Sequence, residues 1–226
     1  MNYKKFIRWF DYQKKINELK IKQINLKKID KWKINIDKIY HNSKKFFKIV
    51  GIEVKSNFFK KNWDQPIIIQ NEIGILGIIK NNKTQKYLLQ AKVEPGNINK
   101  LQLAPSVQAT ESNFKGIHGG KKVPYINFFL KLRNKKIYHQ SEQGFRYLNK
   151  FNSNILFITN RIIKKKPNFF WFSKNEIKKL INMKNIINMD TLSIFSTVIN
   201  RKRSELYSVN TKKQISNWFK RNDKKY

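Results

Sequence analysis

From Lys86 to Val93 apolar and polar residues alternate, with Tyr87, Leu89 and Ala91 opposed to Leu88, Gln90 and Lys92. Successive side chains of an extended chain point to opposite faces, so this period of two predicts a strand. The stretch it opens, Tyr87 to Phe129 (YLLQAKVEPGNINKLQLAPSVQATESNFKGIHGGKKVPYINFF), holds three of the five prolines and four of the eight glycines. Its backbone is therefore expected to be set by turn geometry. It also concentrates chemically varied polar residues: Gln90, Lys92, Glu94, Asn97, Gln102, Gln108, Thr110, Ser112, Asn113, His118 and Tyr125. A rigid backbone carrying such side chains is what a binding pocket requires. Lys92 and Glu94 lie two apart on one strand face, where each sets the other's charge state. The residues alone allow either an acid/base pair or a structural ion pair.

The flanking segments predict an α+β domain. Apolar residues from Lys4 to about Ile24 recur near helical spacing among lysines, which reads as an amphipathic helix packed on the domain in preference to one lying on a membrane or partner. Alternation between Ile34 and Val54 gives strands around the turn at Asp37 and Lys38, and Ser56 to Asp64 reads as a polar loop. A strand pair is expected from Ile67 to Ile79, where Gly74 and Gly77 mark a bulge or a close approach. Strands resume from Ile137 to Phe157, interrupted by a turn through SEQGFRYLNK. Three helices are expected to follow: one opened by the Ser173/Glu176 capping box, one capped by Asn188 or Asp190, and one capped by Thr211 that carries Ile215, Trp218 and Phe219. The expected organisation is a helical segment over residues 1–30 and a single domain over 31–226.

The formal charge of +35 points first to nucleic acid, because cations that neutralise phosphates release counterions. Only seven of the 49 basic residues are arginine, however, the residue whose planar fork reads phosphates and bases. An excess of Lys, Asn and Ile fits compositional bias on tolerant surface positions, so nucleic acid is set aside as a partner while a general attraction to anions remains. With no cysteine, disulfides, thiolate metal sites and cysteine nucleophiles are excluded. Neither a signal-peptide core nor a membrane-length apolar run is present, and the expected location is the cytoplasm.

The strings QAKVEPGN, QLAPSVQATESN, HGG, PYINFF and SEQG, in this order from Gln90 to Gly144, resemble the NDP-hexose 2,3-dehydratases of deoxysugar biosynthesis. HNSKKFFKIVG (His41 to Gly51), WDQPIIIQNEIGILG (Trp63 to Gly77), KFNSN (Lys150 to Asn154) and NMDT (Asn188 to Thr191) agree in order and spacing, so the resemblance runs from about Trp32 to about Ile199 and leaves the N-terminal helix largely outside. It implies a Nudix-like α+β fold with a mixed or antiparallel sheet, flanking helices and a C-terminal helical segment. Members look like two tandem copies of such a unit, and this chain has one copy of each motif, which implies a homodimer or pairing with a second half.

The implied reaction removes water across C2 and C3 of a thymidine-diphosphate 4-keto-6-deoxyhexose without a cofactor. The ketone acidifies the C3 hydrogen, a base takes it, and an acid assists departure of the C2 hydroxyl. Among the matching positions, Lys92, Glu94, His118, Tyr125 and Glu142 are able to move protons, with His118 or Glu94 the expected base and Tyr125 or Lys92 the acid or enolate donor. Gln90, Asn97, Gln102, Gln108, Thr110, Ser112, Asn113, Gln143, Gln65 and Lys150 are candidates for binding the TDP-sugar, and Trp63 for stacking on thymine. The chain departs from the family's K-R-N-R-N at Phe151 and Ser153, from its N-M-D-T-R at Leu192, and from its P-T-V-Q-A-T at Ser106, which keeps the hydroxyl. Three arginines suited to phosphate are thus replaced. The metal-binding signature of Nudix hydrolases is absent, which argues against Mg²⁺-dependent pyrophosphate hydrolysis. A non-catalytic nucleotide-sugar-binding half and a lysine-rich nucleic-acid binder are the competing readings.

Overall fold

The computed structural model describes residues 3–117, 119, 122–130 and 134–199. The first helix, α1 (Tyr3–Ile16), is shorter than its periodicity suggests. Asn17 ends it, its amide donating to the Gln13 carbonyl at 2.9 Å. Ile21 and Ile24, whose spacing prolonged the pattern, are exposed. Phe6 and Phe10 are buried, and Phe6 meets Phe172 edge-on at 5.5 Å. Each such ring contributes about 2–3 kcal/mol by leaving water. The apolar face of α1 is thus spent on the domain's own core.

Two sheets follow. An antiparallel meander comprises β1 (Trp32–Ile34), β2 (Lys38–His41), β3 (Lys48–Val54) and β4 (Trp63–Ile69). The larger sheet has seven strands: β5 (Gly74–Asn81), β6 (Lys86–Val93), β7 (Leu101–Pro105), β8 (Val107–Ala109), β9 (Lys135–Ser141), β10 (Phe151–Thr159) and β11 (Phe169–Ser173). Its main order is β11-β6-β5-β10-β9, with β7 added to β6 and β8 to β5. The β5–β10 pair is parallel and the others are antiparallel.

The strand pair expected from Ile67 to Ile79 is therefore not a pair. β4 belongs to the small sheet on β3, while β5 crosses to the large sheet between β6 and β10. The turn-fixed segment is likewise more regular than its prolines suggest, since β7 is buried at every position. Pro105 is compatible with a strand because the sheet forks there. β5 and β6 share hydrogen bonds only from Ile79/Leu88 to Asn81/Lys86, after which β6 takes β7 and β5 takes β8. Parting strands would orphan an N–H and a carbonyl. The Ser106 hydroxyl fills the fork, accepting from the Ile79 N–H at 3.0 Å and donating to the Leu88 carbonyl.

One face of the large sheet is covered by α1, α4 (Lys174–Ile181), α5 (Met189–Ile194) and a π-helical turn (Phe195–Ile199), which pack Ile177, Leu180, Ile194 and Phe195 on Leu76, Leu89 and Leu103. The other is covered by α3 (Ile126–Leu130), with the short α2 (Glu111–Phe114) nearby in sequence. Phe129 lies so close to Gly77 that a Cβ there would sit 2.2 Å from its ring, so the close approach expected at that glycine is made by a side chain. Both expected caps are present: Ser173 and Glu176 form a reciprocal capping box on α4, and Asn188 accepts from the Thr191 N–H on α5. The helix expected after Thr211 lies outside the described residues. The strand β11 was not anticipated, because the run FFWF in PNFFWFS is aromatic throughout and shows no alternation.

Replacing Ser106 with Ala leaves both groups of the fork unpaired, and chemical denaturation is expected to show a loss of roughly 2–4 kcal/mol. A loss below about 0.5 kcal/mol, the scale of an indifferent surface change, would mean the fork is satisfied in another way.

Candidate active site

A cleft of about 540 Å³ opens on the helical face of the large sheet, where the ends of β9 and β10 meet α5. Glu142 and Gln143 follow β9, Asn152 and Asn154 stand on β10, and Asp190 and Ser193 come from α5. The turn after β9 is fixed from the small sheet: Ile68 accepts from Leu148 N–H at 3.0 Å and donates to the Arg146 carbonyl at 2.8 Å. Gln65 likewise donates to the Phe145 carbonyl at 2.8 Å, while its own carbonyl accepts from the Trp63 indole at 2.8 Å.

Two hydrogen-bonded chains hold the walls. Lys92 donates to Glu94 at 2.8 Å, and Gln108 donates to the same carboxylate oxygen at 3.0 Å. Asn97 reaches the other oxygen at 3.3 Å. The Gln108 carbonyl in turn accepts from Asn188 at 3.1 Å, and Asn188 caps the helix that carries Asp190. On the opposite wall, Asn152 donates to Glu142 and accepts from the Gly74 N–H at 3.2 Å.

Asp190 is the electrostatic centre. Burial raises its carboxyl from the ordinary value of 3.8 to about 6, the Glu142 and Glu94 carboxylates push in the same direction, and Lys92 opposes them. Burial also raises the Tyr147 phenol, aided by Glu142 and Asp190. A carboxyl that changes charge near neutral pH is suited to taking a proton from carbon and returning it. Among the described residues no group of three or more potential metal ligands converges.

Of the residues singled out in the sequence, Lys92, Glu94, Asn97 and Gln108 form one network, and Glu142 and Gln143 line the cleft. The others lie elsewhere. Tyr125 packs on Phe169 across the sheet, its hydroxyl bonding the Lys164 carbonyl and the Lys166 N–H at 2.9 Å each. Gln90 donates to the Pro105 carbonyl at 2.8 Å and Gln102 to the Asn185 carbonyl at 3.0 Å. Ser112 binds Glu72 through its N–H and hydroxyl, Thr110 lies 3.2 Å from that hydroxyl, and Asn113 is exposed on α2. Lys150 is buried, its ammonium donating to the Glu72 and Phe151 carbonyls, and burial lowers its pKa. Trp63 and Gln65 belong to the small sheet. His118 lies outside the described residues.

The sequence reading passed over Asp190 as an active group. It stands in the NMDT string, where it was taken only as a helix cap. In KFNSN, Asn152 lies between the two replaced arginine positions and Asn154 follows them, and a third such position is Leu192. Those positions separate in space: Leu192 lines the cleft, whereas Ser153 bonds His139 at 3.2 Å and Phe151 packs edge-on against the same ring, on the other face of β10.

A second hollow, of about 490 Å³, lies against the small sheet, with Lys38, Lys44, Lys45 and Lys48 near Tyr40. Its carboxylate, Glu72, is engaged by Ser112.

The family model described as NDP-hexose 2,3-dehydratase matches residues 3–198. The match includes α1, which the sequence reading had left largely outside. A dTDP-4-dehydro-6-deoxy-alpha-D-glucopyranose 2,3-dehydratase of Saccharopolyspora spinosa is 35% identical over 190 residues, covering 80% of this chain and 39% of that protein. One of Streptomyces violaceoruber is 34% identical over 200 residues, covering 84% of this chain and 45% of that protein. The chain thus spans less than half the length of these relatives. The crystal structure of an ADP compounds hydrolase superposes with a TM-score of 0.50 at 9% identity, over 80% of this chain and 96% of that one, a likeness of fold alone that makes this unit Nudix-like.

Because the folded Asp190 carboxyl titrates above its unfolded value, its ionisation opposes folding: this cost is absent below about pH 4 and grows as the pH rises through about 6. Asp190→Asn is expected to flatten that part of the stability profile and to gain on the order of 2 kcal/mol at pH 8 over wild type. Urea denaturation at pH 4, 6 and 8 measures it, and parallel profiles for the two proteins would remove Asp190 as the cause.

Proposed function

The chain belongs to the NDP-hexose 2,3-dehydratase family, and from that membership we propose that this unit acts on a TDP-4-keto-6-deoxyhexose, removing water across C2 and C3 in the cleft around Asp190. The observation that carries the proposal is that the motif strings converge on Asp190, two lining the cleft and two joined behind it by hydrogen bonds and by charge. QAKVEPGN supplies Lys92 and Glu94, QLAPSVQAT supplies Gln108, SEQG supplies Glu142 and Gln143, and NMDT supplies Asn188 and Asp190.

In the proposed chemistry the Asp190 carboxylate takes the C3 hydrogen as a proton, and the C3–H electrons move into an enolate on the C4 oxygen. Lys92, held by Glu94 and close enough to act on Asp190, is the proposed donor to that charge. As the C4 carbonyl re-forms, electrons flow into a C2=C3 bond and the C2–O bond breaks. The proton that Asp190 has taken passes to the departing oxygen, so the hydroxyl leaves as water. Each positioned acid or base contributes typically a factor of about 10²–10⁴. A base titrating near 6 is mostly ionised at neutral pH and still basic enough to act. The two-unit arrangement implied by the family resemblance, through a second copy or a second half, belongs to the same proposal, as does action in the cytoplasm. Among the described residues no helix is long and apolar enough to cross a membrane.

Incubation with TDP-4-keto-6-deoxyglucose, followed by mass spectrometry, is expected to show loss of water. Asp190→Asn should lower kcat by about 10² or more, and Glu94→Gln should lower it less, since Glu94 acts through Lys92. The rate of the wild-type protein should rise along an acid limb near pH 6 that is missing from the residual activity of Asp190→Asn. Turnover indifferent to both changes would place the chemistry elsewhere, and saturable binding without turnover would leave a non-catalytic sugar-nucleotide-binding half.

A further inference from the structure

We infer that the inner end of the cleft is a hexose subsite in which Asn154 Oδ1 accepts a hydrogen bond from a ring hydroxyl of the ligand. The inference rests on the proposed nucleotide-sugar function and names the part of the substrate that the cleft takes.

Asn154 is fully buried on β10, opposite Leu76, and belongs to the cleft wall. Its Oδ1 is the one buried side-chain polar atom without a hydrogen-bond partner among the described residues. The orientation of the amide follows from its neighbours. Nδ2 donates to Ser193 Oγ at 2.7 Å and to Thr197 Oγ1 at 2.9 Å. The Thr197 hydroxyl spends its own proton on the Ser193 carbonyl at 2.7 Å, so toward Asn154 it is an acceptor and must face the NH₂ group. A flipped amide would set two acceptors against each other. Oδ1 is therefore the side left over, and a buried acceptor without a donor is an uncommon and costly arrangement.

Two of the protein donors nearby are committed elsewhere. The Ser196 hydroxyl donates to the Ser193 carbonyl at 2.9 Å, and the Asn152 amide is taken by Glu142. A molecule admitted to the cleft that the residue lines can supply the missing donor. Glu142 and Asp190 line that cleft, with Glu94 close enough to act on Asp190, so a diphosphate is repelled from it. Leu76, Leu192 and Phe195 give the wall an apolar side. A neutral ring with apolar C–H faces and donating hydroxyl edges satisfies all three conditions, and in a nucleotide sugar the part that carries several such hydroxyls is the hexose.

Calorimetric titration with TDP-glucose and with TDP alone tests this without requiring turnover. Asn154→Leu, close in volume but lacking the acceptor, is expected to weaken TDP-glucose about tenfold and leave TDP unchanged. Thr197→Val removes a partner of Nδ2 while keeping Oδ1, and should leave both ligands within about twofold. Equal losses for TDP and TDP-glucose in Asn154→Leu, no loss in either, or an equal effect of Thr197→Val would overturn the inference, as would a wild-type protein that binds the two ligands alike. Should Asn154→Leu fail to fold, wild-type binding of TDP-2-deoxyglucose and TDP-3-deoxyglucose decides: one is expected to bind about tenfold more weakly than TDP-glucose, and parity of all three sinks the subsite. Dehydration with no role for Asn154 would leave the dehydratase reading intact, whereas sugar-selective binding lost in Asn154→Leu without any turnover would leave the subsite and remove the enzyme.

Discussion

The Ser106 hydroxyl is the constraint on which the site geometry depends. A sheet that stayed closed between β5 and β6 would keep Gln108 and Glu94 on separate strands with no means of meeting. The hydroxyl accepts from Ile79 N–H and donates to the Leu88 carbonyl, so the two strands can part with no buried backbone group unpaired. Once they part, β6 carries Lys92 and Glu94 outward with β7, and β8 returns along β5 to bring Gln108 to Glu94. Only a small residue that both donates and accepts fits a position 1% exposed between two strands. The departure from the family's threonine at this point keeps that capacity.

From the fork, order passes outward through side chains. Gln108 ties Glu94 to Asn188, and Asn188 sets the first turn of α5, so the helix is placed by the same groups that form one wall of the cleft. Asn152 ties Glu142 to the start of β5, and Lys150 ties the start of β10 to the Glu72 carbonyl. Most of the polar residues that a sequence reader collects as candidate ligands are consumed in this scaffolding. Gln90, Gln102, Ser112 and Lys150 all satisfy backbone or side-chain groups of the fold. Buried polar networks of this kind hold their members in one arrangement only when every member is satisfied. The Asn154 carbonyl is the place where that condition is left open.

The fold was legible where local physics decides it. The strand Lys86–Val93 follows from alternation, the capping box from Ser173 and Glu176, and the cap of α5 from Asn188. It was illegible where partners are chosen at long range. Nothing local says that β5 leaves β4 to lie parallel to β10, 78 residues away at Gly74/Asn152, or that the aromatic run FFWF in PNFFWFS is an edge strand. The site followed the same division. Lys92 and Glu94 were legible as a pair because they share a strand face, and they bond at 2.8 Å. Asp190 was not, because its character comes from burial and from Glu142 and Glu94, which reach it from other elements. A motif string names the residues that matter and does not say which of them end on the same side of a sheet: Asn152 faces the cleft while its neighbour Ser153 faces His139.

The charge distribution completes the picture. A chain of net charge +35 attracts anions from every direction, and a long-range field of that sign raises the local concentration of any nucleoside diphosphate. Attraction of that kind carries no orientation. Orientation in the proposed reading comes from the cleft lined by Asp190 and Glu142, with Glu94 close enough to act on Asp190. In the proposed reading a diphosphate would be favoured by the basic exterior and disfavoured beside the cleft carboxylates. The replacement of the family's arginine by Leu192 sharpens this polarity, because a guanidinium on that wall would lower the barrier to phosphate. Burial and these same carboxylates push the Asp190 carboxyl upward, so in the proposed reading the disfavouring of phosphate and the readiness to take a proton are products of one arrangement.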